Sequence, residues 1–377
     1  RPPIRAASGR KPMKFTTTFS VFLAAVWLVT GFSASARSAT VEEVLSGINK
    51  LPANERQKRL EEGAKKEGSV TVYSNTGLES IRAYQDGFSK KYPFVKIDTT
   101  RLQGAKGLDR ILLEHRVGKL QADVVGVDFD YIEELLKAGV TSRYDTPEKK
   151  FYGDPFWDKN GFWYASDYAL LVIGYNTNLV KPAEAPKTYQ DLLNPKWKND
   201  LSIDTEPEQA VFAWLLEWGE EKTAEYMKAL MRNGTVARNG HTLQVQLLCS
   251  GEIKIAVEVY AARVAQMKHD KGCPLGMNFT NPAPASVGSH RGIAKGTKNP
   301  HAAALYMDYV LSAEGAAALA KAGGLPARKG TKAAYEEVSN LEEKGVRMLM
   351  MGYQDMPKVK EKGYKLIEEI IIRKQLR

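Results

Sequence analysis

The sequence predicts an α/β protein made of two units, each a mainly parallel β-sheet flanked by helices. The first observation is length, because 377 residues exceed what a single hydrophobic core usually covers. The second is that apolar, strand-like runs alternate with amphipathic, helix-like segments, an order that produces parallel sheets covered by helices. A composition of 43% hydrophobic and 26% charged residues is that of an ordinary globular protein.

The first 36 residues have the composition of a short extension followed by a secretory signal peptide. Lys11 and Lys14 precede the uncharged run Phe19–Phe32, and a small-residue Ala-Ser-Ala site ends at Ala36. The apolar run is shorter than the roughly 20 residues that cross a bilayer. We therefore predict export to the periplasm with cleavage after this site, and we exclude the segment from the fold.

The net charge of +10 gives little support to nucleic-acid binding. Five basic residues and no acid lie in the first 36 residues, so removal of that segment halves the net charge. In the rest of the chain Lys and Arg are interleaved with Asp and Glu, as in EEGAKKEG at residues 61–68. We expect no nucleic-acid partner, while a mild preference for anionic ligands stays open.

Residues 37–67 predict a helical leader, since apolar residues recur at helical spacing and a charged helix follows Pro52. The segments of the first α/β unit are SVTVYS, ESIRAYQDGFSKKY, FVKIDTT, GLDRILLEHRVG, ADVVGV and DYIEELLKAG. Those of the second are FWYASDYALLVIGYN, LSIDT, PEQAVFAWLLEWG, HTLQVQLLCSG, KIAVEVY, AARVAQMKHDKG and PLGMNFTNP. After Pro282 we predict one strand, two helices and further helices to the end. The carboxyl ends of the strands in such sheets border the ligand crevice.

The chain has two cysteines, Cys249 and Cys273, and an exported protein meets an oxidising compartment. The helix before Cys249, the strand after it and the following helix place both sulfurs at the same end of the second unit. Two interpretations stay open, a disulfide and two separate buried thiols.

These segments resemble the ferric-iron-type branch of the class II periplasmic solute-binding proteins of ABC transporters. The resemblance covers nearly all of the mature chain and lies in VTVYSNTGLE, FSKKYP, ADVVGVD, IGYNTNLV, DLLNPKWKND, SGEIKIAVEVY and GIAKGTKNPHAAALYMDYVLSAEG. It implies two lobes joined by crossing hinge strands, which close on a small ligand in the cleft between them. It also implies delivery to an ABC transporter permease, no catalysis, no cofactor and a monomeric protein.

On this resemblance the first lobe is discontinuous, with residues 68–160 and 280–330, and the second lobe comprises residues 161–279. Residues 331–377 are expected to form C-terminal helices.

In iron-binding members a His in the first loop, an acid after the third strand and two adjacent Tyr hold the metal. Oxygen ligands suit a hard ferric ion. Here Gly77 occupies the His position and Ala261 the second Tyr position, so half of the set is missing. If ferric iron is the ligand, the resemblance assigns Asp128 and Tyr260 to it.

Without the metal, the same cleft would hold a small organic or phosphorylated anion. Hydroxyl groups and backbone N–H groups at helix N-termini suit such a ligand, and Arg263 offers a bidentate contact to a carboxylate or phosphate. The candidate ligand-binding residues are Ser74, Asn75, Thr76, Asp128, Thr205, His241, Thr242, Tyr260 and Arg263.

Each candidate also has a structural interpretation. Asp128 is equally suited to cap a helix, Tyr260 to pack at a hinge, and Arg263 to lie solvated on a helix surface. Thr205 and His241 are equally suited to cap helices. Trp163 and Tyr164 either stack on a ligand or pack in the core.

Two other classes of function remain as alternatives. A periplasmic sensor for a membrane receptor kinase would use the same fold and cleft. An enzyme on this fold is the second alternative, for which the candidate residues are His241, His290, Asp128 and Cys249. The sequence contains no G-x-S-x-G, H-E-x-x-H or P-loop motif. Permease and ATPase genes nearby would favour the transporter, and turnover of a ligand would favour the enzyme.

Overall fold

The computed structural model describes residues 39–376 of the chain. The predicted signal peptide lies outside these residues. Within them, no helix combines the length and apolar character needed to span a membrane.

The α-helices of residues 39–376 are α1 Val41–Asn49, α2 Ala53–Glu67, α3 Leu78–Lys91, α4 Gly104–Arg116, α5 Ile132–Lys137, α6 Glu208–Trp218, α7 Glu220–Arg232, α8 His241–Ser250, α9 Ala261–Lys271, α10 Pro300–Leu311, α11 Ala313–Lys321 and α12 Met356–Leu366. A π-helical segment, Ile367–Ile372, continues α12. Short 3-10 helices are Pro147–Phe151, Gln190–Leu193, Pro195–Trp197, Glu336–Val338 and Tyr353–Asp355.

The β-strands of the same region are β1 Ser69–Ser74, β2 Lys96–Arg101, β3 Val124–Val127, β4 Thr141–Ser142, β5 Tyr168–Asn176, β6 Leu201–Asp204, β7 Val236–Arg238, β8 Ile255–Tyr260, β9 Leu275–Asn278, β10 Ala283–Val287, β11 His290–Ala294 and β12 Met348–Met351.

The first sheet has the strand order β2-β1-β3-β11-β4. Strand β1 runs parallel to both β2 and β3, while β11 is antiparallel to β3 and β4. The leader helix α2 packs on α10 beside this sheet, where buried Arg56 forms an ion pair of 2.7 Å with Asp308. The leader is therefore fixed to the first lobe by a buried charge pair.

The second sheet has the strand order β12-β10-β5-β8-β6-β7, and β9 also pairs with β5. Strand β6 is parallel to β7 and β8, whereas β5 is antiparallel to β8, β9 and β10. The prediction that residues 331–377 form helices was wrong in one segment, because Met348–Met351 forms strand β12. The run Met348–Met351 has four consecutive apolar residues, which show neither a helical nor a strand period. Its pairing with β10 decides its structure.

Two chain segments cross between the sheets side by side. One leads from β4 into β5, and the other joins β10 to β11 through Gly288 and Ser289. The two segments are antiparallel neighbours, because the Gly288 N–H donates to the Asp167 carbonyl at 2.8 Å and Tyr164 pairs with Arg291. A Cβ on Gly288 would lie 2.6 Å from the Asp167 carboxyl group, so glycine permits this close approach. The predicted two-lobed α/β architecture with crossing strands is confirmed. The expectation of mainly parallel sheets was wrong, because β11 runs antiparallel to its neighbours in the first sheet and β5 does so in the second.

The C-terminal helix α12 packs on α6 in the second lobe. Ile367, Ile370 and Ile371 of the π-helical continuation are buried in the same core. From this position α12 also reaches the first lobe, where the Tyr364 hydroxyl donates to Asp130 at 2.6 Å. The apolar run near the C-terminus is therefore a packing element of the second lobe.

Candidate functional site

The candidate site lies between the two lobes, at the carboxyl ends of strands β1, β3, β6 and β8. Its two sides approach each other where Arg263, in the first turn of α9, lies 3.8 Å from the Glu79 carboxylate in the first turn of α3. This ion pair joins the second lobe to the first. The crevice beyond the carboxyl ends of strands is the usual ligand position in open α/β sheets.

The loop after β1 is pinned in place by the crossing segments. The Asn75 amide donates to Asp128 at 2.6 Å, and the Ser289 hydroxyl donates to the Asn75 side-chain oxygen. Buried Arg291 donates to the Thr76 hydroxyl at 2.7 Å. The side chains of Asn75 and Thr76 are therefore positioned by residues that belong to the hinge.

Ser74 has a local role in this loop. It is buried, and its hydroxyl oxygen accepts the Thr76 N–H at 3.2 Å. The turn it forms leads to Gly77, which precedes α3 and gives that helix no side-chain cap. The leading N–H groups of α3 therefore have no capping side chain.

Asp128 lies where the loop after β3 meets the start of α4. Burial raises the pKa of its carboxyl group, while hydrogen bonds from the Asn75 side chain and the Gly104 backbone act in the opposite direction. Gly104 is the first residue of α4, whose N-cap residue Gln103 supplies no side-chain cap. Asp128 thus serves the α4 N-terminus, a role that the sequence left open beside ligand binding.

On the other side of the cleft, the His241 imidazole lies between two buried carboxylates. Its Nδ1 is 2.8 Å from Asp204 and its Nε2 is 2.6 Å from Glu258. Burial opposes the charged ring, but the Glu258 charge and the hydrogen bonds that the ring donates to both carboxylates hold the pKa of His241 well above its ordinary value. His241 is therefore an imidazolium that donates from both ring nitrogens.

The two carboxylates also organise the backbone around His241. Asp204 accepts the Gly240 N–H at 3.1 Å, and Glu258 accepts the Asp204 N–H at 3.1 Å. Gly240 is the N-cap of α8, which has no side-chain cap hydrogen bond. The cluster therefore fixes the start of α8 and leaves its first-turn N–H groups without a capping side chain.

Tyr260 stacks on His241, with ring centroids 4.6 Å apart and an interplanar angle of 23°. Burial raises the pKa of its hydroxyl, the His241 charge lowers it, and the carboxylates of Glu258 and Asp128 raise it further. The phenol is therefore protonated at neutral pH and is suited to donate a hydrogen bond.

The remaining predicted residues divide between the site and the core. Thr205 accepts a hydrogen bond of 3.1 Å from Asn239, and Thr242 is exposed on the first turn of α8. Trp163 and Tyr164 are only 1% and 2% exposed, so they pack inside the protein instead of facing a ligand.

Cys249 and Cys273 form a disulfide with Cα atoms 5.1 Å apart. The bond joins the end of α8 to the segment that follows α9. Both helices begin at the candidate site, so the disulfide ties together their distal ends.

Sequence reasoning missed Asp204, Glu258, Glu79 and Arg291. A signal for the first two was present, because each is the one charged residue in an otherwise apolar or small strand segment, LSID and IAVEVY. Among residues 39–376, no group of three or more His, Cys, Asp and Glu side chains is arranged to hold a metal ion.

The sequence pattern that describes bacterial extracellular solute-binding proteins matches residues 121–359, more than half of the chain. Iron uptake protein A1 of Synechocystis sp. is 25% identical over 240 residues. That alignment covers 60% of this chain and 63% of the relative, less than two thirds of its length.

Solved structures share the fold at low sequence identity. Iron-bound HitA from Pseudomonas aeruginosa has a TM-score of 0.70 and 19% identity, covering 80% of this chain and 99% of its own. AfuA from Actinobacillus pleuropneumoniae, with fructose-6-phosphate bound, has a TM-score of 0.68 and 21% identity, covering 82% and 99%. At these identities the similarity concerns the fold.

Proposed function

Because the chain belongs to the family of bacterial extracellular solute-binding proteins, we propose that it binds a small organic anion, phosphorylated or carboxylated, between its lobes. We propose further that it is exported to the periplasm by a cleaved signal peptide and delivers this cargo to the permease of an ABC importer. The family match confirms the predicted resemblance to solute-binding proteins, and we propose that the chain binds its ligand without catalysing a reaction. Its ligand is cargo and not a cofactor.

The choice of an anion rests on one observation, which is that three helix N-termini without side-chain caps lie close to one another. These are the starts of α3, α8 and α9. The Arg263–Glu79 ion pair brings the first turns of α9 and α3 together, and the His241–Tyr260 stack does the same for α8 and α9. Free N–H groups and the helix dipole favour a negative charge at such a point.

The side chains around these helix starts suit the same kind of ligand. Arg263 is a cation at the mouth of the site, and the charge of the His241 imidazolium lies behind it, paired with Asp204 and Glu258. The hydroxyl groups of Thr76 and Thr205 and the protonated Tyr260 offer further hydrogen bonds. The fold neighbour with bound fructose-6-phosphate is consistent with a phosphorylated ligand.

The same geometry gives weak support to ferric iron. Both ring nitrogens of His241 are engaged by carboxylates, and Asp128 is engaged by Asn75. Gly77 and Ala261 provide no side-chain donor where iron-binding relatives use His and Tyr.

We test the ligand class by thermal shift on residues 39–377, followed by calorimetric titration of positive compounds. The panel comprises sugar phosphates, dicarboxylates, phosphonates and ferric citrate. A ligand at 100 times its Kd stabilises the folded protein by about 2.7 kcal/mol. We expect stabilisation by an organic phosphate or carboxylate that is weakened in Arg263→Ala and weakened less in Arg263→Lys, which keeps the charge but loses the bidentate contact. Stabilisation by ferric citrate alone, lost in Tyr260→Phe, would overturn the proposal in favour of iron.

A further inference from the structure

The second lobe contains a cavity of about 730 Å³ that is separate from the interlobe site. It lies beside the carboxyl end of α6 and against α7, and its lining includes Trp214, Trp218 and Tyr226. The amino end of α6 is the one that faces the cleft, and Trp218 is ten residues further along, about 15 Å at 1.5 Å per residue. None of the candidate cleft residues lines this cavity.

Four aromatic rings form one wall of the cavity, those of Tyr189, Trp214, Trp218 and Tyr226. The two indoles are parallel within 2°, with centroids 5.8 Å apart, and Tyr226 meets them edge-on at 5.0 and 5.2 Å. Tyr189, Trp214 and Tyr226 are buried, whereas Trp218 is half-buried at the cavity edge. The wall is therefore rigid and presents one partly open indole to an incoming ring.

Charged side chains lie at the rim of the cavity and favour a ligand that carries a negative charge. Lys187 and Lys222 line the cavity, and both are exposed. Glu217 also lines the cavity, but its carboxylate pairs with Arg347 at 3.1 Å. Glu225 is the other acid in the lining, so the three cations Lys187, Lys222 and Arg347 exceed the two acids by one charge.

We propose that this cavity is a second binding site, which takes a planar, mainly apolar organic acid such as an aromatic carboxylate. Its volume falls within the roughly 300–1,000 Å³ of small-molecule sites, which are mostly apolar with a few polar groups. The aromatic ring of the ligand stacks against Trp218, and its carboxylate lies toward Lys187 and Lys222. This site acts independently of the interlobe ligand.

The probe for the test is 2-naphthoate, with the uncharged 2-naphthamide as its matched control. Binding is measured by calorimetric titration and by quenching of tryptophan fluorescence, with concentrations up to about 1 mM. We expect saturable binding of the acid and at least about tenfold weaker binding of the amide. The Lys187→Ala/Lys222→Ala variant weakens binding of the acid about tenfold, and Trp218→Ala abolishes it, while Trp218→Phe retains it.

Arg263→Ala, in the interlobe cleft, serves as the control that distinguishes the two sites. We expect it to leave naphthoate binding unchanged, and circular dichroism verifies the fold of each variant. The inference is overturned by the absence of saturable binding, by equal binding of the acid and the amide, or by unchanged binding in Trp218→Ala. Loss of binding in Arg263→Ala overturns it as well, because the probe would then occupy the cleft.

Discussion

Replacement of His241 by Gln tests whether the buried charge cluster holds the second lobe together. The substitution keeps a polar side chain but removes the one cation between Asp204 and Glu258, which are 1% and 0% exposed. Removal of one partner of a buried ion pair typically destabilises a protein by 3–5 kcal/mol, because it leaves an uncompensated charge. We expect the free energy of unfolding of His241→Gln to be lower than that of wild type by roughly 4 kcal/mol.

The assay is thermal unfolding followed by circular dichroism, with urea unfolding as a second measure. At about 2 cal/mol/K per residue, the entropy of unfolding for a domain pair of this size is about 0.7 kcal/mol/K, so the midpoint falls by about 6 °C. Thr242→Ala is the matched control, because Thr242 is the exposed neighbour of His241 on α8 and surface changes stay within about 0.5 kcal/mol. The double variant His241→Gln/Glu258→Gln is expected to recover part of the loss.

The pH dependence of this difference has a definite sign. The folded-state pKa of His241 lies well above 6.5, so its stabilising contribution is fully present below pH 6.5 and is lost as pH rises through the folded pKa. The stability gap between wild type and His241→Gln should therefore be largest at slightly acidic pH and shrink above neutral pH. A variant within about 0.5 kcal/mol of wild type at pH 6 would refute the imidazolium assignment.

Three further predictions concern other parts of the fold. Burial raises the pKa of Asp130 to about 6, so between pH 4 and 6 the folded state holds a proton that the unfolded state has lost. Between pH 4 and 7, the free energy of unfolding of Asp130→Asn, measured in urea, should therefore rise by about 3 kcal/mol relative to that of wild type. Gly288→Ala should destabilise by about 1–3 kcal/mol, whereas Gly47→Ala, with no atom within 4 Å of the added Cβ, should not. Reduction of Cys249–Cys273, which are 24 residues apart, should lower stability by about 3 kcal/mol, with no effect of reductant on the double Ala variant.

The sequence predicted the two α/β units because their strands and helices follow each other with clear periodicity. It did not reveal β12, since Met348–Met351 has no period of its own and becomes a strand only by pairing with β10. The disulfide was one of two open interpretations. Its formation depends on how closely two chain segments approach, and spacing along the sequence does not give that distance.

The candidate site was predicted by position more than by chemistry. Topology assigned the residues after strand ends to the cleft, and their role in ligand binding stays a prediction. Their partners come from distant parts of the chain. Glu79 reaches Arg263 across the cleft, and Ser289 reaches Asn75 from the crossing segment. Such pairs depend on how the lobes are placed, which no local pattern encodes. Glu258 was detectable in principle, as an acid inside a buried strand that needs a cation.

The contacts between the lobes differ in strength from one part of the cleft to another, and from this difference we predict which side of the cleft would open. Beside α12, Phe129 of the first lobe is buried against the second-lobe core, 6.3 Å from Phe212, and Asp130 is buried under Tyr364.

Near α3 and α9, the lobes meet through the Arg263–Glu79 pair, whose side chains are 22% and 55% exposed. A solvent-exposed pair of this kind contributes at most about 1 kcal/mol. We therefore expect the apolar contact to act as a pivot with the crossing segments and the ion pair to be the side that separates. An anion at the starts of α3, α8 and α9 would bind both lobes on the weak side, which is where a ligand changes the closing equilibrium most.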